Sequence, residues 1–484
     1  MRYDDSNYED EPYRSMAVNT GAYIVIKKII KEQNIKGCMC GINDYGKGLL
    51  LDMASCNVIT GNDGIDGYDN YAYRHPLMTP GHKIFSNATV KRFCSEIDDE
   101  FVQTFLGLWN SEKADPEKSY ILIESADCMN NIFCFDRETH TPLCYKRYVG
   151  ERNPAELESV IADFKSQEYT TDICAAFNEE YFSRENMELL YKAKYDYAIV
   201  CSLKDPVIRE IVLNNMGSFE NKNINYIRKW DSYAVTVKTK LYSEDREVYV
   251  HIYYMDERGK NLTSNIQQNI GYIRSVLDNS KGMDIQFLKM YETYFELKYD
   301  EMHNFTGYSV KNDVIEIEKK LAPYSVIVTS SEMTAAEAIE LYRYNDYLTE
   351  RFNRNKASEN SDDYGIYNIS DYKRGFIDFL SLIICNGIET EIDEFMNESV
   401  NGNIKYLTLN DVIAELECIE LIRNRGSKYS PDRELSFYQI LILGAFGINV
   451  KSFKTMAETI GMQLEHGEPP EEEYDYGTCM TFNC

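Results

Sequence analysis

Hydrophobic and polar positions along the chain change their period several times, and each period predicts a different kind of element. From about residue 18 to residue 115 the apolar side chains recur at helical spacing, as they do over residues 101–108. Short continuous apolar runs follow at 120–123 and 173–177, a pattern typical of strands that are buried on both faces of a sheet. Because helical patterns lie between such runs, the sequence predicts a mixed α/β fold with helices on the faces of a sheet.

The middle of the chain has a β pattern instead. Apolar side chains alternate with polar ones over residues 233–241 and again over 248–254, with a polar turn between them, which predicts a hairpin. The other predicted elements are strands at 132–135, 143–145, 197–201 and 324–329, and helices at 154–165, 183–193, 262–277, 331–352 and within 371–460. In this interpretation the β-rich segment is inserted into the α/β core.

Charge and composition argue against several classes of function. The chain has 79 acidic and 51 basic side chains, a formal net charge of −28, so it needs a local basic patch to bind nucleic acid. No apolar stretch reaches the roughly 18 uncharged residues of a membrane helix, and the longest candidate, 376–388, is interrupted by Asp378 and predicts a buried helix. No secretory signal is visible, and the thirteen scattered cysteines favour reduced thiols in a cytoplasmic protein.

Candidate chemistry lies where predicted strands end, because open α/β sheets keep their reactive groups there. Glu124 directly follows the run at 120–123, and Asn178 directly follows the run at 173–177. The alternative for a lone glutamate at such a position is a solvated strand terminus. The predicted helix after the strand at 324–329 carries five residues whose offsets place them on one face, Tyr342, Asn345, Thr349, Phe352 and Lys356.

Six ordered segments of the chain resemble insertion-sequence transposases of the DDE class, in the branch whose Tyr-Arg-Glu-Lys signature surrounds the third carboxylate. The segments are residues 122–128, 142–150, 177–186, 324–356, 375–384 and 407–423. The resemblance covers roughly residues 18–455 and implies a ribonuclease-H-like core with a β-rich insertion. It also implies DNA cleavage and strand transfer at element ends by two Mg²⁺ or Mn²⁺ ions, and self-association of the protein on paired ends.

With this resemblance, the chain is expected to have seven parts. They are an acidic disordered tail (1–17), a helical N-terminal region (18–115), the first part of the ribonuclease-H-like core (116–215), the β-rich insertion with a helix (216–315), the second part of the core with the signature helix (316–360), a C-terminal helical region (361–462) and a second acidic tail (463–484).

The chain departs from the family at the residues that matter for catalysis. Glu124, Asn178 and Thr349 stand at the three acidic positions, and Asn345 replaces the signature arginine. Two-metal catalysis depends on carboxylate oxygens that hold the two cations close together. Since only Glu124 remains as an anionic metal ligand, we expect a catalytically degenerate site. Two other signature positions, Tyr342 and Lys356, persist, and the resemblance implies that they orient and contact phosphate.

Nearby residues offer two further candidates. Glu179, Glu180 and Glu350 lie next to the lost carboxylates. A one-residue step on a helix rotates a side chain by about 100°, so Glu350 replaces Thr349 only if a local bulge turns it back. A basic strip for DNA would consist of Lys146, Arg147, Arg152, Arg343, Arg351, Arg354 and Lys356. The alternative for these residues is ordinary surface charge.

Two hypotheses of function therefore stand side by side. In the first, the chain is a transposase homologue by descent whose active site is degraded. In the second, it is a non-enzymatic interaction or regulatory protein on a domesticated transposase fold, with acidic surfaces for protein partners. A different hydrolase that uses Asp127 or Cys128 rests on sequence proximity alone.

Overall fold

The computed structural model describes residues 17–61, 63–113, 119–126, 129–149, 158–159, 162, 173–242, 246–284, 288–345, 348, 371–398, 406–423 and 428–466. Both acidic tails, apart from residue 17 and residues 463–466, and most of the predicted helix at 154–165 lie outside these residues. The chain divides into two compact units. The first comprises Met1–Ala176 together with Tyr342–Cys484, and the second comprises Phe177–Leu341.

The N-terminal part of the first unit is helical, as its spacing predicts. After a short strand, β1 (Ala17–Asn19), the helices are α1 (Gly21–Glu32), α2 (Ile35–Cys38), α3 (Asp44–Thr60), α4 (Tyr68–Arg74), α5 (Asn87–Glu96) and α6 (Asp99–Lys113). Helix α5 begins after Ser86, whose side chain accepts a hydrogen bond from the backbone N–H of Thr89. Asn43 begins α3 in the same way, with the N–H of Gly46 as donor.

Four strands of the first unit follow the helices. They are β2 (Ser119–Ala126), β3 (Met129–Asp136), β4 (Pro142–Val149) and β5 (Ile173–Phe177). The strands lie in the order β4-β3-β2-β5, and β3 pairs antiparallel with both of its neighbours. The side chain of Asp136 accepts hydrogen bonds from the backbone N–H groups of Glu138 and Thr139, which fixes the turn between β3 and β4. The predicted antiparallel meander is therefore confirmed.

The second unit contains five neighbouring strands of a sheet, a separate hairpin, and helices. Its elements are α7 (Arg184–Ala193), β6 (Asp196–Cys201), α8 (Pro206–Asn215), β7 (Tyr226–Ile227), β8 (Ser232–Lys240), β9 (Glu247–Tyr254), α9 (Asp256–Asp278), β10 (Phe295–Tyr299), β11 (Phe305–Val310), α10 (Asn312–Leu321), β12 (Tyr324–Thr329) and α11 (Ala335–Glu340). The strand order is β6-β12-β9-β8-β7, with antiparallel neighbours throughout. The predicted hairpin is β8 with β9.

A second hairpin, β10 with β11, packs with α9 and α10 around its own small core. The buried side chains of this core are Ile270, Leu277, Leu288, Phe295, Leu297, Phe305 and Ile315. The sequence analysis did not predict this hairpin or α10.

The predicted helix over residues 331–352 is wrong in its extent. Helix α11 begins at Ala335 because Thr334 and Glu337 form a capping box, and it ends at Glu340. Residues 341–344 form a turn, and helical backbone resumes at Asn345. Leu341, Tyr342 and Tyr344 are all buried, so side-chain packing of the turn accompanies the interruption.

The C-terminal part of the first unit is mainly helical. Its elements are α12 (Asp371–Glu398), α13 (Leu409–Glu417), β13 (Glu420–Ile422), β14 (Ser430–Pro431), α14 (Phe437–Ala445) and α15 (Val450–His466). Strands β1, β13 and β14 form a small antiparallel sheet that was not predicted.

The apolar run at 376–388 lies in α12, and its hydrophobic side chains are buried, as predicted. Asp378, which interrupts the run, accepts a hydrogen bond of 3.1 Å from the amide of Asn57 on α3. A polar residue is thus tolerated in this helix because it has a partner. No disulfide joins any of the ten described cysteines.

No single described helix is long and apolar enough to cross a membrane, although α14 and α15 pass that test as a bent pair.

Candidate functional site

Glu124 lies within a strand, and the prediction that it stands at a strand end is wrong. Strand β2 continues to Ala126, and the antiparallel ladder with β3 pairs Glu124 with Asn131 and Ala126 with Met129. Backbone pairing extends the strand beyond the apolar run from which its end was predicted. Glu124 therefore occupies the sixth of the eight positions of β2.

Asn178 directly follows β5, as predicted, and its side chain stabilises the turn that comes next. Its side-chain oxygen accepts a hydrogen bond of 3.2 Å from the backbone N–H of Glu180, which caps the short 3₁₀ turn Glu179–Tyr181. Asparagine favours such positions because its amide mimics a backbone acceptor. Glu179 and Glu180 are both exposed.

The signature positions from Tyr342 onward belong to the first unit and are only partly described. Tyr342 is buried, and its carbonyl accepts a hydrogen bond of 2.9 Å from the N–H of Asn345. The prediction that Tyr342 shares one helical face with the four residues after it requires a continuous helix. Tyr342 instead lies in the turn between α11 and the next helical segment. Thr349, Glu350 and Lys356 lie outside the described residues.

Arg343 has partners within the protein. Its guanidinium lies 2.7 Å from a carboxylate oxygen of Asp393 and 3.4 Å from one of Glu389, both on α12, and its side chain is only 8% exposed. Asp393 also accepts a short hydrogen bond from the hydroxyl of Tyr406. Since two carboxylates offset this cation, its contact with DNA phosphate remains a prediction. Of the other residues of the predicted basic strip, Lys146 is half-buried on β4, and Arg152, Arg351 and Arg354 lie outside the described residues.

The predicted residues fall into separate groups. Glu124, Tyr342, Arg343 and Asn345 belong to the first unit, and Asn178 belongs to the second. Convergence of the three acidic positions remains a prediction.

Among the three acidic positions, the structure describes the side chain of Asn178 alone, and its donor chemistry suits a hard divalent cation poorly. Magnesium prefers charged carboxylate oxygens, whereas Asn178 offers a neutral amide oxygen that already accepts a hydrogen bond. Among the described residues, no three His, Cys, Asp or Glu side chains lie together as a potential metal site.

A cavity in the second unit adjoins Glu179 and was not anticipated from the sequence. It has a volume of about 800 Å³ and lies at the ends of β6 and β12 that carry Cys201 and Tyr324. Its apolar wall is formed by side chains of α9 and α10, Leu262, Ile266, Ile317 and Leu321. The helical spacing of Leu262 and Ile266 on α9 could have indicated an apolar face from the sequence. In the structure neither residue is fully buried.

Two arginines of this cavity bond to the protein backbone. The guanidinium of Arg209 donates hydrogen bonds of 3.2 Å and 2.8 Å to the carbonyls of Leu203 and Lys204. Arg258 donates one of 2.5 Å to the carbonyl of Tyr324. Both arginines thus stabilise strand ends.

A scan against protein-family models finds no match, and no curated protein matches the sequence.

Proposed function

We propose that the chain is a homologue of DDE-class insertion-sequence transposases that associates with DNA but has lost the ability to cut it. The observation that carries this proposal is the strand order β4-β3-β2-β5 with its antiparallel meander. A meander with a fourth strand beside its first is the arrangement expected of a ribonuclease-H-like core. It agrees with the six sequence segments that resemble this family.

Loss of cleavage follows from the donor chemistry. A site that binds two divalent cations needs several carboxylates to offset their charge. Asn178 supplies a neutral oxygen, and Thr349 supplies a hydroxyl at the third position. Glu124 alone is anionic, so cation affinity and hydrolysis should both be severely reduced.

A non-enzymatic regulator on the same fold is the second candidate. The placement of Arg343 favours it, because the Asp393 and Glu389 carboxylates neutralise a cation of the signature block. In that case the acidic surface would serve protein partners, and DNA binding would be weak even at low salt.

The test uses the full chain and duplex DNA taken from the sequences that flank its gene. Binding and strand nicking are measured in the same samples with Mg²⁺ or Mn²⁺. We expect binding that weakens as salt rises, because phosphate contacts release counterions, and we expect no nicking. Nicking by the unmodified protein that Glu124→Gln abolishes would contradict the loss of catalysis. Absence of binding at low salt would contradict DNA association and favour the regulator.

A gain-of-function variant sharpens the test. Asn178→Asp combined with Thr349→Glu restores both carboxylates, and we expect Mn²⁺-dependent nicking from it. The matched control combines Thr349→Glu with Asn223→Asp, which makes the same change of charge at an exposed position of the second unit. Equal behaviour of the two double variants would show that Asn178 does not occupy a catalytic position.

A further inference from the structure

A second cavity of the second unit lies at the other end of β6 and β12 from the one beside Glu179. It has a volume of about 600 Å³ and is bordered by Asp196 and Tyr197 at the start of β6 and by Ser330 just after β12. The Ser330 hydroxyl accepts a hydrogen bond of 2.9 Å from the N–H of Tyr197 and donates one of 2.9 Å to Asp196. The floor of the cavity is therefore fixed by the sheet.

The walls of the cavity come from α7 and from the β8–β9 hairpin. Tyrosines supply much of the surface, namely Tyr191, Tyr195, Tyr197 and Tyr242. The guanidinium of Arg246 lies 3.6 Å from the ring centroid of Tyr191, a stacked geometry, and the Tyr191 side chain is 56% exposed. Flat aromatic surfaces beside a planar cation are suited to stacking with a nucleobase.

The acidic and basic residues around this cavity differ in whether they already have a bonding partner. Glu188 pairs with Arg184 at 3.1 Å, Glu247 pairs with Lys238 at 2.8 Å, and Asp196 accepts from Ser330. Each acidic residue of the wall thus has a partner.

Three cations of the same wall, Lys192, Lys194 and Arg246, make no ion pair with any carboxylate that the structure describes. In a chain with a net charge of −28, three such cations around one cavity are available to an anion.

We infer that this cavity binds a nucleoside phosphate, with the base against the tyrosines and the phosphates at Lys192, Lys194 and Arg246. The same chemistry is offered by a free nucleotide and by a nucleotide of single-stranded DNA. The site is independent of the proposed transposase ancestry, because none of its residues belongs to the predicted catalytic positions.

The experiment measures binding of the fluorescent nucleotide mant-ATP to the full chain. Unlabelled ATP, adenosine, tripolyphosphate and a ten-residue oligothymidylate serve as competitors. We expect ATP or the oligonucleotide to compete at least about tenfold better than adenosine or tripolyphosphate, because stacking and charge both contribute. Stronger competition by ATP identifies the free nucleotide as the ligand, and stronger competition by the oligonucleotide identifies single-stranded DNA. Equal competition by tripolyphosphate would overturn the inference, as would absence of mant-ATP binding.

Variants locate the site. Lys192→Gln combined with Arg246→Gln should weaken binding by about tenfold or more, since it removes two charged contacts. The control, Lys260→Gln, removes one exposed cation of α9 that pairs with Asp256, and its affinity should be unchanged. Arg246→Lys keeps the charge but loses the planar stack, so we expect an intermediate affinity. If the Arg246 stack only holds the hairpin to α7, the double variant will melt at a lower temperature but bind mant-ATP normally, which would refute the site.

Discussion

Replacement of Gly48 by alanine tests how the N-terminal helices pack. Gly48 lies in α3, and a Cβ added there would stand 2.4 Å from the Cα and 2.7 Å from the backbone nitrogen of Thr79. Backbone atoms cannot swing aside as a flexible side chain can. The segment is also held in place, because the N–H groups of Met78 and Thr79 both donate hydrogen bonds to the buried carboxylate of Asp52.

The magnitude follows from three contributions to the free energy of unfolding. Alanine gains about 1 kcal/mol over glycine in a helix interior. Overpacking against a fixed backbone costs about 3 kcal/mol, and displacement of a hydrogen bond to Asp52 costs about 1–3 kcal/mol more. We therefore expect Gly48→Ala to lower the free energy of unfolding by about 3–5 kcal/mol.

Gly107→Ala is the matched control. Gly107 lies in α6, and no atom stands within 4 Å of its added Cβ, so the same substitution should stabilise the protein by about 0.5–1 kcal/mol. The assay is urea unfolding followed by the fluorescence of Trp109, which is fully buried in the first unit, in a Trp230→Phe background. If Gly48→Ala is as stable as Gly107→Ala, the Met78–Thr79 segment does not lie against α3 and the reasoning is refuted.

Two further predictions concern buried charge. Arg374→Met should destabilise the first unit by about 3 kcal/mol in the same assay, because it removes the guanidinium that pairs with the Asp63 carboxylate at 2.9 Å. Lys47→Met removes a 4.0 Å pair with the exposed carboxylate of Asp44 in the same unit and should cost less than about 0.5 kcal/mol; equal losses would contradict this. Burial lowers the pKa of His251 to about 4, so the unfolded chain binds more protons between pH 6.5 and 4 and stability should fall by about 3 kcal/mol as pH drops through that window. Urea unfolding followed at Trp230 should show this loss, and His251→Gln should show much less of it.

Strands with continuous apolar runs were predicted correctly, as was the alternating hairpin β8–β9. Strands β2, β5 and β12 contain the short runs at 120–123, 173–177 and 324–329, because a sheet with both faces covered buries every side chain of such a run. Their ends were less predictable, as Glu124 shows, since pairing with β3 extends β2 past its last apolar residue. Backbone hydrogen bonds depend on the partner strand, and the local hydrophobic pattern does not predict which strand that is.

The elements that were missed are short or depend on distant partners. Strands β1 and β13 have three residues each and pair across about four hundred positions of sequence, so no local period reveals them. Strand β10 was a detectable omission, because Phe295 and Leu297 are buried while Glu296 and Lys298 are exposed, which is the alternation of a half-buried strand. The predicted helix over residues 331–352 is interrupted at 341–344, a segment that contains neither glycine nor proline. Tertiary packing overrides the helical propensity of this segment.

Candidate sites were harder to predict than strands, because the role of a cation depends on what it already bonds. Three arginines of predicted or observed sites illustrate this. Arg209 and Arg258 donate hydrogen bonds to backbone carbonyls, and Arg343 pairs with two carboxylates. Their charge or their donors are therefore committed to the fold. Lys192 and Arg246 border a cavity whose acidic residues have other partners. Residue type and spacing are the same in both situations, so only the arrangement of partners distinguishes a cation that holds the protein together from one that is available to a ligand.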